Sequence, residues 1–219
     1  MLKDIMKNRF TSKWWTKDPV EPEQLDAILE CAYYTPSKQG YYDFEIHAIT
    51  DSPEGKEFKQ WLYWEATACL DKIIVPTSEG GGLRRFNGQV LAPVVLIWLA
   101  KSFPKDLNPY GESEWIRTNN DCHLSAAMAM CQAEELGLRT GFCGTLMNVD
   151  IAQKLGKTGM FAVVALGIGH AFAGKYPIKM KVFKDGVEAG YDLSNLDPGN
   201  KSHYSREKKP PLNVMIKKI

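Results

Sequence analysis

The chain has 219 residues, of which 44% are hydrophobic and 24% charged, so residues 1–219 are expected to form one ordinary globular domain. The formal net charge of +1 gives no electrostatic reason to expect a nucleic acid or an anionic membrane as a partner. The longest apolar run, near residues 90–100, is too short to span a bilayer.

The cysteines give no sign of a metal site or of a disulfide framework. They number five, form no Cys-x-x-Cys pair, and do not cluster with the four histidines. We therefore expect no structural zinc. The first 15 residues lack the apolar run of a signal peptide. Together with the odd cysteine count, this predicts reduced thiols in the cytoplasm.

Residues 5–15 are predicted to form a short helix that passes into an extended segment. Arg9, Thr11 and Lys13 lie close together there, followed by Trp14 and Trp15. One interpretation is a solvated N-terminal face. The other is an anion site, because guanidinium, hydroxyl and ammonium groups all donate hydrogen bonds to phosphate.

The next helix is predicted to begin at Pro22 and to stop before Pro36. Proline suits a first helical turn, and the residue before a proline avoids the helical region. The apolar face of this helix is formed by Leu25, Ile28, Leu29 and Ala32. After a loop at residues 35–40, the alternation of Phe44, Ile46 and Ala48 with polar residues predicts a half-buried strand. His47 is read as a strand residue in polar surroundings.

Residues 54–74 have a helical pattern, and a glycine-rich loop follows at 78–85. That loop lacks the Gly-Lys-Ser/Thr ending of a phosphate-binding P-loop. The apolar run at 92–100 predicts a buried strand. Residues 101–117 are predicted to be irregular. Their aromatics among proline, glycine and charges fit either a lid over a pocket or a simple surface connection.

The most conspicuous stretch is a central helix over residues 119–138. Asn120 or Asp121 is the expected N-cap, and Gly137 the expected C-cap. Apolar and small residues occur on nearly every face, which is typical of a helix buried all round, in a core or at a subunit interface. A tight turn is predicted at 140–144, and its backbone amides are either part of a plain turn or face a ligand.

The C-terminal third begins with a short helix that Asn148 or Asp150 caps, running through Leu155. Residues 161–168 then form a buried strand. The glycines after it do not have the Gly-x-Gly-x-x-Gly spacing of a dinucleotide site. Residues 174–191 are predicted to form a hairpin that turns at 185–186. The polar tail 197–219 has no core of its own, so it is either disordered or an arm on another surface.

Five of these segments, in this order, resemble motifs of the nitroreductase family. Residues 9–15 match a basic, hydroxyl-containing motif, with Thr11 in the place of serine, and residues 32–37 match a helix ending in Ala-x-x-Ala/Ser-Pro-Ser. The central helix with 141–144, the strand 161–169 ending in Gly-x-Gly-His, and the basic pair before Pro210 complete the match. The sequence departs at residues 40–44, where Gly40 replaces an expected asparagine and Tyr-Asp-Phe replaces Gln-Pro-Trp.

The resemblance implies an α+β fold, with a central mixed or antiparallel sheet flanked by helices, a long buried dimer-core helix and a C-terminal arm. It further implies a homodimer that binds FMN, takes electrons from NADH or NADPH, and reduces nitroaromatics, quinones or a similar small electrophile. The flavin carries the hydride chemistry, so no catalytic side chain is implied. The residues expected to bind the cofactor are Arg9, Phe10, Thr11, Lys13, Pro36, Ser37, Lys38, Gly40, Asn87, Phe142, Cys143, Gly144, Arg206 and Lys208.

Two alternatives remain at the sequence level. The unusual residues 40–44 leave room for the same fold with a different flavin reaction, such as flavin cleavage or reductive dehalogenation. The other alternative is a non-catalytic, dimeric flavin-binding protein with a degraded site.

Overall fold

The computed structural model describes residues 2–9, 11–13, 15–37, 40–66, 87–101, 111–144, 146, 148–171, 179–184 and 187–192. The chain divides into two compact units. The first comprises residues 1–72 and 86–171, and the second comprises residues 73–85 and 172–219. Among the described residues, no helix has the length and hydropathy needed to cross a bilayer.

A four-stranded antiparallel sheet forms the centre of the first unit. Its strands are β1 (Phe44–Ile49), β2 (Val94–Lys101), β3 (Arg139–Cys143) and β4 (Met160–Gly169), in the order β1-β2-β4-β3. The two central strands, β2 and β4, are buried along almost their whole length. This burial explains why both read as continuous apolar runs, and both strand predictions are confirmed.

Where the structure describes this unit, it adds five α-helices and one 3₁₀ helix to the sheet. They are α1 (Leu2–Asn8), α2 (Pro22–Tyr33), α3 (Pro53–Trp64), the 3₁₀ helix (Gly88–Leu91), α4 (Gly111–Glu135) and α5 (Asn148–Lys154). The predicted elements at β1, α2 and α5 are thereby confirmed, as is the α+β fold. The predicted helix at 54–74 ends at Trp64, and residues 67–74 lie outside the described residues.

The core lies between one face of the sheet and helices α2 and α4. Ile28 and Ala32 of α2 and the small residues of α4 are fully buried against the sheet. Trp98 of β2 donates its indole N–H to Ser125 Oγ (3.0 Å), and that hydroxyl donates to the Ala32 carbonyl (2.9 Å). Both polar groups are thus satisfied inside the core, which a buried hydroxyl and indole require.

A buried lysine lies on the other side of β2. Lys59 of α3 is only 3% exposed, and its ammonium donates to Asp51 Oδ1 and to the carbonyls of Ala92 (2.8 Å) and Pro93 (3.0 Å). Three acceptors satisfy its three N–H groups. Burial lowers the pKa of Lys59, and Asp51 partly offsets that effect. The lysine fixes the segment that leads into β2.

The start of the central helix was predicted wrongly. Helix α4 begins at Gly111, so residues 111–117 are helical rather than irregular, and Asp121 lies inside the helix. Tertiary contacts favour the extra turns: the Trp115 ring packs on Phe161 with centroids 4.2 Å apart, and Arg117 pairs with Asp43. Residues 102–110 lie outside the described residues.

Two further predictions about α4 have opposite outcomes. Its C-cap is confirmed: Gly137 has φ 82°, its N–H donates to Glu134 O, and the N–H of Leu138 donates to Ala133 O, which is the Schellman arrangement. In this chain, however, the helix is not buried all round. Leu124 and Met128 are 42% and 38% exposed, so α4 has an uncovered apolar stripe.

The predicted tight turn at 140–144 is also wrong, because residues 139–143 form strand β3. Gly141 pairs with Gly167 of β4, and at both positions neighbouring atoms pack too closely to leave room for a side chain. A Cβ at Gly141 would collide with the Ser12 carbonyl oxygen and lie 2.8 Å from Gln89 Cγ, and one at Gly167 would collide with the Gln89 carbonyl oxygen. The glycines therefore admit the N-terminal segment and the 3₁₀ helix against the sheet.

In the second unit, β5 (Lys179–Lys184) and β6 (Val187–Asp192) form an antiparallel hairpin in which Lys184 pairs with Val187. The hairpin prediction is confirmed, while residues 185–186 lie outside the described residues. The same holds for the glycine-rich segment at 78–85 and for the tail 197–219, so the C-terminal arm stays a prediction.

Replacing Gly167 by Ala tests the close approach of the 3₁₀ helix. We expect the free energy of unfolding to fall by about 2–3 kcal/mol, because the new Cβ forces a backbone shift. Gly144→Ala is the control: nothing lies within 4 Å of a Cβ there, so its change should stay within about 0.5 kcal/mol. Urea denaturation measures both, and equal losses would contradict the packing described here.

Candidate functional site

The extended segment after α1 lies along the end of the sheet where β3 begins and β4 finishes. Thr11 forms a parallel bridge with Thr140, and Ser12 N–H donates to the Thr140 carbonyl (2.8 Å). Further along, Thr16 N–H donates to His170 O (2.7 Å). The segment that carries the predicted anion-binding residues is therefore hydrogen-bonded to the sheet.

The 3₁₀ helix and the residue before it pack against the same place. Trp15 donates its indole N–H to the Gly88 carbonyl (2.8 Å), and Gln89 Nε2 donates to the Phe142 carbonyl (3.1 Å). Gln89 is 6% exposed, and its Oε1 is buried with no hydrogen-bond partner among the described residues. A buried acceptor without a donor is costly, so a donor from a ligand fits this position.

We call residues 9, 11–13, 87–89 and 140–144 the sheet-edge cluster. A buried carboxylate ties it to α4. The Glu134 side chain is 2% exposed, and it accepts hydrogen bonds from Thr140 Oγ1 (2.7 Å) and Arg139 Nη1 (2.8 Å). One guanidinium donor and one hydroxyl donor therefore satisfy this carboxylate. The contact fixes the start of β3 against the end of α4.

A second group of predicted residues lies in the connection between α2 and β1. We call its described residues, 35–37 and 40–43, the α2–β1 loop. Ser37 Oγ donates to Asp121 Oδ2 of α4 (2.6 Å) and accepts from Tyr42 N–H (3.3 Å). Because the hydroxyl proton is committed to Asp121, Ser37 offers a ligand only a lone pair. The sequence reading missed this constraint.

The two groups are far apart within one chain. Asp121 and Glu134 both belong to α4, and about 13 residues at 1.5 Å each separate them by roughly 20 Å along the helix. The α2–β1 loop is tied to Asp121, and the sheet-edge cluster is tied to Glu134. A single copy of the chain therefore keeps the two groups at different ends of α4.

The predicted site residues thus fall into three sets. The sheet-edge cluster contains Arg9, Thr11, Lys13, Asn87, Phe142, Cys143 and Gly144. The α2–β1 loop contains Pro36, Ser37 and Gly40. Outside the described residues lie Phe10, Lys38, Arg206 and Lys208.

Sequence reasoning did not single out Gln89 or Glu134, and it named Asp121 only as a candidate N-cap. Each is a polar residue within or beside an apolar stretch, namely 88–100 or the apolar part of α4. That position was the available signal, because a polar side chain in a buried element usually has a specific partner.

The cysteines near α4 are not poised as nucleophiles. Burial raises the pKa of the Cys122 thiol to about 12. Burial also raises the pKa of Cys31 and of Cys131, with neighbouring glutamates contributing. These thiols stay protonated at neutral pH. In the part of the chain that the structure describes, no three His, Cys, Asp or Glu residues gather as metal ligands.

The sequence model of the nitroreductase family matches residues 6–170. This range includes the sheet, helices α2 to α5, the sheet-edge cluster and the α2–β1 loop. The chain belongs to the nitroreductase family. The resemblance carried by the sequence motifs is thereby confirmed for three quarters of the chain. No curated protein sequence matches it.

Several solved structures have the same fold. An FMN-dependent nitroreductase from Clostridium difficile R20291 is 22% identical, with a TM-score of 0.55 over 83% of this chain and 91% of that one. A nitroreductase family protein from Clostridium novyi NT is 13% identical (TM-score 0.61; 78% and 86%). A Staphylococcus epidermidis protein assigned as an NAD(P)H:FMN oxidoreductase is 17% identical (TM-score 0.60; 81% and 92%).

The residues at the sheet edge of this nitroreductase-family chain fit a phosphorylated, flat, polar-edged group. Arg9, Lys13 and the Thr11 hydroxyl supply donors suited to phosphate. Gln89 supplies a buried acceptor for which the described part of the chain offers no donor. No described residue lies within 4 Å of a Cβ at Gly144, which leaves room for a ligand beside the backbone there.

Replacing Glu134 by Ala tests the contact that holds β3 to α4. We expect the free energy of unfolding to fall by about 2–3 kcal/mol, because the buried Thr140 hydroxyl loses its acceptor and Arg139 its partner. The matched control is Glu135→Ala, an exposed neighbour, with a change of about 0.5 kcal/mol or less. Chemical denaturation measures both, and similar losses would show that the Glu134 contacts do not stabilise the fold.

Proposed function

We propose that this nitroreductase-family protein is an FMN-dependent oxidoreductase that uses NADH or NADPH to reduce small electrophiles such as nitroaromatics and quinones. The observation that carries the proposal is the sheet-edge cluster. There, cationic donors and a buried amide oxygen that has no donor among the residues the structure describes adjoin the glycine-containing strand β3. The names of the similar structures support the choice of FMN and of a nicotinamide donor.

The phosphate of FMN is assigned to the N-terminal segment. Its dianion suits Arg9, Lys13 and the Thr11 hydroxyl, on a backbone that Ser12 N–H fixes to Thr140. Arg206 and Lys208 are proposed to add positive charge from the tail. Each charge-assisted hydrogen bond contributes on the order of 1.5–3 kcal/mol, so the cations account for tight binding.

The flavin ring is assigned to Asn87, Gln89 and residues 142–144. Within the described ranges the amide oxygen of Gln89 is an acceptor without a donor, and the flavin ring carries an imide N–H that donates. Backbone groups of β3 beyond Phe142 orient the polar edge of the ring. Bound FMN supplies hydride chemistry, and the protein residues hold and orient it.

A homodimer brings the two groups of site residues together. In an isologous dimer, copies of one helix run antiparallel across a perpendicular two-fold axis. Met128 lies about midway between Asp121 and Glu134 along α4. A two-fold axis beside Met128 therefore places the Asp121 end of one α4 opposite the Glu134 end of the other. Each site then combines the α2–β1 loop of one subunit with the sheet-edge cluster of its partner.

The exposed surface around Met128 supports this dimer. Leu124 and Met128 of α4 are exposed, and Leu2 and Ile5 of α1 line a shallow cavity together with Met128. Contiguous exposed apolar surface of this kind is typical of an interaction site. Obligate dimer interfaces bury large apolar areas.

The direct test of the function is spectroscopic. We expect the purified protein to show the flavin absorbance bands, or to gain them when FMN is added, and we expect NADH or NADPH to bleach these bands without oxygen. A quinone should then restore them. A protein that stays colourless after incubation with FMN would contradict the proposal. If the protein binds FMN but NADH and NADPH do not reduce the bound flavin, the protein is a non-catalytic flavin-binding protein.

Arg9→Ala tests the phosphate assignment. Loss of one charged donor should weaken FMN binding about a hundredfold, which corresponds to roughly 2–3 kcal/mol, while circular dichroism shows a folded protein. Lys7→Ala, an exposed change in the last turn of α1, is the matched control and should alter the affinity by less than about twofold. Flavin titration measures both affinities. If Arg9→Ala binds FMN as tightly as the parent protein, the assignment of the phosphate to this segment is wrong.

Met128→Glu tests the dimer. Placing two like charges near a two-fold axis in an apolar interface should shift the protein from twice the 24.6 kDa chain mass to a monomer. FMN affinity should fall in parallel, because each site needs both subunits. Light scattering gives the mass, and Gln153→Glu on α5 serves as the charge control. A monomeric variant that binds FMN like the parent would contradict the two-subunit site.

A further inference from the structure

Tyr42 has an unusual backbone conformation. Its φ is 48°, and it is the one non-glycine residue with a positive φ among the residues that the structure describes. The left-handed region is unfavourable for a bulky residue because its Cβ crowds the following carbonyl. Such a conformation persists where the surrounding contacts enforce it, and it is concentrated at functional sites.

Contacts to α4 hold the backbone on both sides of Tyr42. The Tyr42 N–H donates to Ser37 Oγ (3.3 Å), and Ser37 Oγ donates to the buried Asp121 carboxylate (2.6 Å). The next residue, Asp43, accepts from Arg117 Nη2 (3.1 Å). The strained position is therefore fixed to the helix through two separate links.

Despite these links, the neighbouring rings remain largely uncovered. Tyr41 and Tyr42 are 55% and 45% exposed. The Arg117 guanidinium lies 4.4 Å from the centroid of the Tyr41 ring. The Tyr42 ring lies 6.5 Å from that of Phe44, tilted by 59°. Both rings are oriented without being buried, so a flat ligand could bind them with little additional ordering cost.

We propose that Tyr42, with Tyr41 beside it, is a specificity-determining residue that favours flat, conjugated electron acceptors such as quinones by ring contact. The inference rests on the proposed function, because the loop meets an acceptor only if Ser37 borders the cofactor. In this loop the sequence departs from the family pattern, with tyrosine and aspartate before Phe44. A glycine would adopt this backbone conformation without strain but has no side chain, whereas Tyr42 presents an aromatic ring at the same position.

The test compares two acceptors in the FMN-loaded protein. With 1,4-naphthoquinone, NADH and one proton reduce the quinone to the hydroquinone and leave NAD⁺. Ferricyanide, which has no ring, accepts one electron at a time from the same reduced protein. Tyr42→Asn removes the ring, and asparagine tolerates the left-handed conformation, so the loop backbone is retained.

For Tyr42→Asn we expect KM for naphthoquinone to rise about tenfold, the upper part of the range for one aromatic contact. Its ferricyanide kinetics should change by less than about twofold, and its melting temperature should not fall, because the strain is relieved. Tyr42→Phe keeps the ring and should behave like the parent. Tyr33→Ala, which removes a tyrosine of α2 that is 70% exposed, should also leave KM unchanged.

An unchanged naphthoquinone KM in Tyr42→Asn would overturn the inference. So would an equal rise with ferricyanide, since that indicates a general role of the loop, or the same rise in Tyr42→Phe. If Tyr42→Asn does not fold, Tyr42→Gly, which also removes the ring and adopts a positive φ without strain, replaces it with the same expected result. A parent protein that binds no FMN, or whose flavin NADH and NADPH do not reduce, refutes the proposed function first, and the inference falls with it.

Discussion

The structure depends on a close approach between one short helix and two strands. Residues 88–91 lie so near to β3 and β4 that any side chain at Gly141 or Gly167 would collide with Gln89. The approach brings the Gln89 amide to the Phe142 carbonyl and buries its oxygen. The N-terminal segment then adds to the same edge through Thr140. Without the two glycines, the sheet-edge cluster would not be assembled.

Helix α4 relates this edge to the rest of the unit. Its small residues pack on the sheet, while Glu134 at one end and Asp121 nearer the other each hold a loop or strand by buried hydrogen bonds. The helix therefore keeps the sheet-edge cluster and the α2–β1 loop at a fixed separation. Helix α4 also has an exposed apolar stripe. In the proposed dimer, the same helix therefore spaces the two groups of site residues and forms the subunit interface.

Much of the fold could be predicted, because its determinants are local. The buried runs of β2 and β4, the proline at the start of α2 and the left-handed Gly137 each depend on a few adjacent residues. The start of α4 depends instead on Trp115 meeting Phe161 and Arg117 meeting Asp43. These partners are distant in sequence, so the segment read as irregular. Gly141 and Gly144 suggested a turn because a glycine that permits close packing has the same appearance in sequence as one that permits a bend.

The candidate site also contains some residues that local sequence motifs predict and others whose roles depend on tertiary contacts. The family motifs pointed to Arg9, Thr11 and Ser37, but the residues that fix them were missed. Gln89 and Asp121 each hydrogen-bond a group far along the chain. Glu134 accepts two hydrogen bonds from β3, just past the end of its helix. Their roles follow from the partner that each one finds, and composition and periodicity contain no information about that partner.

The enclosure of Lys59 has a consequence for chemical labelling. Its ammonium is held by a carboxylate and two backbone carbonyls beneath α3, so an amine-reactive reagent reaches it only when α3 separates from the start of β2. Exposed lysines such as Lys3 and Lys56 acylate in the folded protein. The modification rate at Lys59 would therefore report the opening of this part of the first unit, which makes a single lysine a built-in probe of its local unfolding.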